Sequence, residues 1–310
     1  CRRLLARRLK VPPQRRMRAK FTCISFLPLS NLIPPHNRND PPGDIFCRHR
    51  AVPAAVGRRL AGVDLPLPLP RMTWRDAMAR YGSDKPDTRF GMEIQDVSET
   101  VRGCGFTVFE TALEAGQTVC ALCAKNAATM SRKELDALGE FVKTYHVKGL
   151  AWATVAADGT IRSSFAKAMQ GDSMQRLLAA ADCQLGDALF VIADKRLVAL
   201  TAMGQLRLRL GRELQLIDTS RYNLLWITEF PLVSWSEEEN RFVAEHHPFT
   251  TVMEEDVPLM ETDPGSVRAK SYDLVMNGIE MGSGSIRIHQ SELQAKMFSL
   301  IGLTEEEAHE

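Results

Sequence analysis

Long hydrophobic runs are missing from this chain of 310 residues, although 45% of its residues are hydrophobic. A membrane-spanning helix needs roughly 20 consecutive apolar residues, and no run in the sequence approaches that length, which argues against an integral membrane protein. An excess of charge of either sign is also missing, because 39 basic residues face 38 acidic ones. Any polyanionic partner therefore needs a local basic patch. The hydrophobic content suffices for a sizeable core, and the length predicts about two domains.

Paired cysteines are scarce. The seven cysteines are an odd number and lie scattered at positions 1, 23, 47, 104, 120, 123 and 183. In a chain of this size the pattern does not indicate a disulfide framework and is typical of a reducing compartment. Cys120 and Cys123 have the spacing of zinc ligands, but no second Cys or His pair completes four ligands. The favoured interpretation is that both cysteines act as small hydrophobic side chains on a buried strand.

Acidic residues are missing before Asp40, and eleven of the sixteen prolines lie in the first seventy positions. A segment this rich in Arg and Pro does not have the composition of a packed domain. It is compatible with a mitochondrial transit peptide, a nucleic-acid-binding arm or an out-of-frame translation. Because the chain begins with Cys1 and changes abruptly to ordinary patterning near Val63, we expect residues 1–60 to be disordered or mistranslated.

The rest of the chain has the pattern of a folded α+β protein. Residues 92–218 alternate strands and helices, with a strand at residues 117–124 and a capping box of Ser131 and Glu134. Residues 219–310 have the pattern of an antiparallel sheet. Residues 61–91 contain a short helix that Thr73 caps and Gly82 ends. We therefore divide the folded chain into residues 61–91, 92–218 and 219–310.

The stretch DLVMNGIEMGSGSIRIH, residues 273–289, carries charged residues inside a run that otherwise predicts sheet. Asn277-Gly278 is a strong hairpin signal, because a two-residue type I′ turn needs positive φ at both positions. The turn sets the register of the two strands, and the expected pairs are Met276–Ile279, Val275–Glu280, Leu274–Met281 and Asp273–Gly282. We expect the face with Leu274, Met276, Ile279 and Met281 to be the core side, opposite Asp273 and Glu280.

A regular second strand would bring Arg287 to that core side, and burying an unpaired Arg costs several kcal/mol. Gly282-Ser283-Gly284 permits a one-residue β-bulge that turns the later residues over. The polar residues then share one face: Asp273, Glu280, Ser285, Arg287 and His289. Two adjacent carboxylates repel unless a cation separates them, and Mg²⁺ with nucleotide phosphates is the natural candidate. The alternative is a solvated polar face with Glu and Arg paired across strands.

His246-His247-Pro248 is a second candidate element of the site. Adjacent side chains on a strand point to opposite faces, so at most one His joins the polar face unless Pro248 bends the chain. Such a pair is more often structural than ligating. Neither His lies in an HExxH or Cys-paired setting that would indicate zinc.

Several motifs resemble, in order, the landmarks of bacterial-type aspartyl-tRNA synthetases of class II, from about Val63 to Glu310. They are PLPRMTWRDAMARYGSDKPDTRFGMEIQDVSE, SRKELDALGEFVKTYHVKGLAW, GQLRLRLGRELQLID, LLWITEFPLVSW, EHHPFT and YDLVMNGIEMGSGSIRIHQSELQ. The resemblance implies an α+β fold, a partial class II antiparallel sheet with helices. It also implies that residues 61–91 and 219–310 are catalytic segments interrupted by an inserted α+β domain, the GAD domain, at residues 92–218.

The resemblance also implies roles for individual residues. His246 and Arg287 match aspartate-binding residues, with Arg287 on the substrate's side-chain carboxylate, and Ser285 lies beside the substrate. Glu280 matches an acid that contacts ATP, and Asp273 is its expected partner at Mg²⁺. No further catalytic residue is expected.

The activity that the resemblance implies is aspartate–tRNA ligation. L-aspartate reacts with ATP to give aspartyl-adenylate, and the 3′ end of tRNA then accepts the aspartyl group. The expected partner is tRNA(Asp), with tRNA(Asn) as a second candidate. The expected location is the cytoplasm, and the full-length enzyme is expected to be a homodimer.

The sequence also departs from the family pattern. The anticodon domain, motif 1 and motif 2 have no counterpart before residue 63, and the chain ends at TEEEAHE, before motif 3. We therefore expect an inactive fragment of an active enzyme. One alternative is a non-catalytic binding module derived from a synthetase. Others are the amidotransferase subunits that share the inserted domain but lack HHPFT and GSGSIRIH, and a basic nucleic-acid-binding protein, which rests on residues 1–20 alone.

Overall fold

The computed structural model describes residues 68–303. The prediction for residues 1–60 falls outside this range and stays a prediction. Along the described chain the elements are, in order, β1 (Arg71–Thr73), α1 (Trp74–Tyr81), β2 (Gln95–Asp96), α2 (Thr107–Glu114), β3 (Thr118–Ala124), α3 (Arg132–Lys143), β4 (Ala151–Val155), β5 (Ile161–Ser163), α4 (Ser173–Ala180), β6 (Ala188–Asp194), α5 (Arg196–Glu213), β7 (Leu224–Thr228), β8 (Val233–Ser236), β9 (Arg241–Ala244), α6 (Leu259–Thr262), β10 (Ser271–Met276), β11 (Ile279–Ser285) and α7 (Ser291–Leu300). None of the helices in residues 68–303 has both the length and the apolar character needed to cross a membrane.

The strands form two larger sheets and one hairpin. The first sheet has the order β1-β7-β10-β11, the second has the order β2-β3-β6-β4-β5, and β8 pairs with β9. β1 and β7 are neighbours and run in parallel, with Arg71 opposite Trp226. The other pairs of the first sheet, β7–β10 and β10–β11, are antiparallel, as expected for this part of the chain. Parallel neighbours need a long crossover connection, and here the whole second sheet is that connection.

The second sheet is covered on both faces. One core contains Leu122 of β3 together with Leu138 of α3 and Met203 of α5. The other contains Phe109 of α2 and Leu177 of α4. All residues of β3 are buried, because each face of the strand meets one of these cores. The buried strand predicted at residues 117–124 is therefore confirmed.

Two local signals in the sequence are also confirmed. The Thr73 side chain accepts the N–H of Asp76 at 3.1 Å and begins α1, which ends at Gly82 with a φ of 64°. Ser131 and Glu134 form the predicted capping box at the start of α3. These signals depend on side chains only a few residues apart, which is why the sequence alone suffices to read them.

The second sheet is inserted in the chain between β1 and β7 of the first sheet, and we call it the inserted sheet. Helix α5 connects it to the loop between α1 and β2, through which the chain enters it. Arg207 of this helix is 1% exposed. Its Nε donates to the carbonyl oxygen of Met92 at 2.9 Å. Its Nη2 lies within 3.0 Å of the carbonyl oxygens of Asp87, Phe90 and Gly91. One buried guanidinium thus binds four carbonyl oxygens of the loop between α1 and β2.

Helices α1 and α5 approach each other at two glycines. A Cβ atom on Gly204 would lie 2.6 Å from the carbonyl oxygens of Gly82 and Tyr81, which are backbone atoms with little freedom to move. We expect Gly204→Ala to lower the free energy of unfolding by about 1 to 2 kcal/mol, measured by urea denaturation. Gly139→Ala in α3 is the control, because nothing lies within 4 Å of its added Cβ. That substitution should stabilise by about 0.5 to 1 kcal/mol, and a loss as large as that of Gly204→Ala would contradict the prediction.

Candidate functional site

The predicted hairpin of β10 and β11 is present. Its two turn residues, Asn277 and Gly278, have φ values of 54° and 85°. The expected pairs nearest the turn, Met276–Ile279 and Val275–Glu280, are confirmed. A left-handed two-residue turn therefore sets the start of the register, as the Asn-Gly signal predicts.

The register shifts beyond these pairs. Leu274 lies opposite Gly282 and Asp273 lies opposite Ser283, so Met281 is the extra residue of a bulge. The bulge that we predicted within residues 282–284 therefore lies one residue earlier. The expected Leu274–Met281 and Asp273–Gly282 pairs are wrong.

Exposure and packing explain this position. Met281 is 45% exposed on the edge strand β11, where an extra residue displaces no neighbouring strand. Gly284 serves another purpose, because a Cβ on it would lie 2.8 Å from the ring of Tyr272. The glycine therefore permits the close approach of an aromatic ring to the backbone.

The core side of the hairpin is the opposite of the one predicted. Val275 is fully buried and packs with Ala77 of α1 and Ile227 of β7. Ile279 and Met281, expected in the core, are 63% and 45% exposed. Both faces offered aliphatic residues, and only the placement of α1 decides which face is covered. Asp273, which alternates with Val275 along β10, consequently lies on the buried side.

The bulge brings the polar side chains to this same face. Glu280 lies opposite Val275, and Ser283 lies opposite Asp273. Because Val275 and Asp273 are alternate residues of β10, all four share a face. Ser285 follows Ser283 by two residues and joins them.

Arg287 continues this alternation. Beyond Ser285 the backbone stays paired, since the carbonyl oxygen of Ile286 accepts the N–H of Thr251 at 2.8 Å, and Arg287 bridges to Thr250. The period of two places Arg287 on the side of Ser285. Arg287 itself is exposed. Ser285 Oγ accepts the hydroxyl of the buried Thr250 at 3.3 Å.

A cavity of about 290 Å³ opens on the polar face. Its lining residues are Trp74, Asp84, Lys85, Phe230, Pro231, Glu245, His246, Asp273, Glu280 and Ser283. The structure thus brings together His246, Asp273 and Glu280 and leaves Ser285 and Arg287 outside the lining. Larger cavities of about 560 and 480 Å³ contain none of the site residues predicted from the sequence.

Asp273 is the most unusual group in this cavity. It is 3% exposed, and its Oδ1 atom is buried without a hydrogen-bond partner. Burial, and then the negative charge of Glu280, raise its pKa from 3.8 to about 6. A buried carboxylate oxygen without a partner is costly unless it binds a ligand or a proton. Two carboxylates on one face form the oxygen-rich donor set that Mg²⁺ prefers, so the residues fit this ion.

Lys85 is a site residue that the sequence reasoning missed. Its Nζ lies 3.4 Å from Glu280 Oε2 and 2.9 Å from Asp84 Oδ2. Asp84 and Lys85 precede Pro86 in the loop after α1. The only sign of a functional role in the sequence was this pair of charged residues next to a proline. Nothing in that local pattern indicates that the loop contacts a hairpin so far along the chain.

The two adjacent histidines point in different directions, as expected. The His246 ring lies 4.7 Å from that of Phe230, edge to face, at the mouth of the cavity. The ring retains solvent contact, and its partial burial lowers the pKa of His246 below the usual value for a histidine. His247 is turned away, and its Nδ1 accepts the N–H of Phe249 at 3.2 Å.

Similar proteins were found by sequence. The family described as tRNA synthetases class II (D, K and N) matches residues 44–310, which include the last part of the Arg- and Pro-rich segment. An aspartate–tRNA(Asp/Asn) ligase of Lachnoclostridium phytofermentans is 55% identical over 249 residues, which are 80% of this chain and 42% of that protein. An aspartate–tRNA ligase of Clostridium botulinum is 52% identical over 268 residues, 86% of this chain and 45% of that protein. The chain spans less than half the length of these curated relatives.

Proposed function

Because the chain belongs to the class II tRNA synthetases (D, K and N), we propose that its cavity is part of the active site of an aspartate–tRNA ligase. The family resemblance of the sequence motifs is confirmed by the relatives. The proposed enzyme activates L-aspartate with ATP to give aspartyl-adenylate and then transfers the aspartyl group to the 3′ end of tRNA.

Asp273 supplies the main support. A bound cation would stabilise this carboxylate, which is 3% exposed, carries an unpartnered oxygen and shares a sheet face with Glu280. We assign Asp273 and Glu280 to Mg²⁺ and Glu280 also to ATP. When bound, Mg²⁺ offsets the negative charge of the ATP phosphates. Lys85, 3.4 Å from Glu280, holds that carboxylate toward the cavity.

The aspartate substrate is assigned to the residues beyond the bulge. The planar guanidinium of Arg287 suits the side-chain carboxylate of the substrate, and asparagine would leave this cation without its partner. His246, which lines the cavity, offers a ring nitrogen for a hydrogen bond to the substrate. Ser285 offers a hydroxyl on the same face. These groups work by positioning and by charge neutralisation, and no other catalytic residue is assigned.

Four further properties belong to this proposal. The inserted sheet of residues 92–218 is assigned as a GAD domain, between catalytic segments at residues 61–91 and 219–310. The tRNA partner is tRNA(Asp), with tRNA(Asn) as a second candidate. The full-length enzyme is assigned as a homodimer, and its location as the cytoplasm.

Aspartate-dependent exchange between ATP and pyrophosphate tests the activity. It should be measured on this chain and on the chain extended at both ends by the flanking segments of the 52% identical relative. Exchange in the extended chain supports the ligase. A folded extended chain that binds tRNA but shows no exchange would instead favour the non-catalytic binding module.

Arg287→Ala tests the assignment of the aspartate carboxylate. In the extended chain we expect kcat/KM for aspartate to fall by roughly 30-fold, about 2 kcal/mol, because a charged hydrogen-bond pair is lost. The KM for ATP should change little. Arg212→Ala, an exposed Arg of α5, is the matched control. Normal aspartate kinetics in Arg287→Ala would refute this role.

A further inference from the structure

A compact group of two thiols and a carboxylate lies in the inserted sheet, far along the chain from the residues of the cavity. The Sγ atoms of Cys123 and Cys183 and a carboxylate oxygen of Asp187 all lie within 4.8 Å of one another. All three residues are at most 9% exposed. Cys120, the neighbour suggested by sequence spacing, packs in the opposite core, because residues three apart on a strand point to opposite faces.

The carboxylate of this group is already oriented. Asp187 Oδ1 accepts the N–H of Asn126 at 3.0 Å, and its Oδ2 accepts the N–H of Gln184 at 2.9 Å. Metal-ligating carboxylates are commonly held by such hydrogen bonds. The Cys123 thiol lies 3.6 Å from Asp187 Oδ2 and 3.7 Å from the carbonyl oxygen of Asp182. The sulfur and oxygen atoms of these residues therefore point toward one another, and a metal ion that replaced the thiol protons would lie between them.

We propose that Cys123, Cys183 and Asp187 bind one thiophilic divalent cation of the Zn²⁺ type. The carbonyl oxygen of Asp182 or a water completes the four ligands that such ions take. Binding releases both thiol protons to solvent, so the two sulfurs coordinate as thiolates. Thiolates select soft cations over Mg²⁺, which separates this site from the one proposed at Asp273.

Charge and access both suit this ion. Two thiolates and one carboxylate carry three negative charges, which a divalent cation and the ammonium group of Lys125, 3.1 Å from Asp187, together balance. The side chains of Lys125 and Asp182 are 47% and 75% exposed, so an ion reaches the group from the surface.

Cadmium titration tests the site, because cadmium–thiolate charge transfer is visible in the ultraviolet. The full chain is used with Cys1, Cys23 and Cys47 replaced by Ser and with a non-thiol reductant. One cadmium per chain should bind with the absorbance of two thiolates. Cys183→Ser should weaken binding by at least about 100-fold, whereas Cys120→Ser, a control at another buried cysteine, should leave it unchanged.

Thermal unfolding gives a second measurement. Zn²⁺ should raise the Tm of the parent and of Cys120→Ser and leave that of Cys183→Ser unchanged, since only a ligand that binds the folded chain stabilises it. Cadmium binding that survives Cys183→Ser would overturn the site. A reduced chain that binds no cadmium while an oxidant joins Cys123 to Cys183 would overturn it as well and identify a disulfide pair.

Discussion

Replacing Arg207 by Leu is expected to lower the free energy of unfolding by about 3 to 5 kcal/mol. The guanidinium donates to the carbonyl oxygens of four residues, which are Met92, Asp87, Phe90 and Gly91. Leu removes every donor and leaves those oxygens buried. Hydrogen bonds to a charged group are each worth about 1.5 to 3 kcal/mol, so the loss exceeds that of an ordinary core substitution.

The rings around Arg207 add to this effect. Its guanidinium carbon lies 3.9 Å from the ring centroid of Phe90 and 4.8 Å from that of Tyr81. Burial lowers the pKa of Arg207 to about 10, so the group remains charged at neutral pH and the cation–π contacts persist. Arg207→Lys should recover only part of the stability, because an ammonium group cannot reproduce the planar fork.

Urea denaturation measures the change, with Arg209→Leu as the matched control on the same helix. Arg209 is half-buried and lies 4.8 Å from the ring centroid of Phe141, and its pair with Glu213 is partly exposed, where an ion pair contributes about 1 kcal/mol or less. If the two Leu variants lost similar stability, the carbonyl contacts of Arg207 would not be what fixes the loop between α1 and β2.

Asp273→Asn is expected to raise the free energy of unfolding of the metal-free chain by about 2 to 3 kcal/mol at pH 8. The variant should also lose the further increase in stability that Mg²⁺ gives to the parent chain. The pKa of Asp273 is 3.8 in the unfolded reference and about 6 in the folded chain, which corresponds to about 3 kcal/mol. An acid with a raised folded pKa favours folding only while protonated. Stability should therefore fall as pH rises from about 4 to about 6, and the Asn variant should lack this fall.

The control for Asp273 is a buried Asp with the opposite shift. Asp256 is 5% exposed, and its hydrogen bonds with Arg268 hold its pKa below the usual value. Asp256→Asn should therefore destabilise the chain at pH 8 and show no response to Mg²⁺. Unfolding curves at several pH values, with and without Mg²⁺, separate the two. If Asp273→Asn destabilised at pH 8, the buried acid would have a partner that compensates it.

The sequence predicted those features that depend on near neighbours in the chain. The cap at Thr73, the capping box at Ser131 and the turn at Asn277-Gly278 all follow from contacts within a few residues, and all three are present. The sharing of one face by the polar residues of β10 and β11 was predicted as well, because burying an unpaired Arg287 would be costly, although that face is the covered one and Ile279 and Met281 are exposed. The need for a bulge was therefore readable, although its position at Met281 was not.

The site could be predicted only in part, because sequence patterns report contacts between near neighbours in the chain. His246, Asp273 and Glu280 were identified from their own segments and line one cavity. Lys85 was missed, because its contact with Glu280 joins the loop after α1 to strand β11, nearly two hundred residues further along the chain. The partnership of Cys123 with Cys183 was likewise hidden, since spacing along the sequence pointed to Cys120.

By itself the sequence determined the family, the local caps and turns, and which residues of the last hairpin are polar, because these depend on residue identity and short-range backbone geometry. The tertiary structure alone decided which face of the hairpin is core. Helix α1 covers the side of Val275, Asp273 on the same side is buried, and Ile279 on the other side is exposed. Alternation fixes which side chains share a face, whereas the burial of that face depends on an element from elsewhere in the chain.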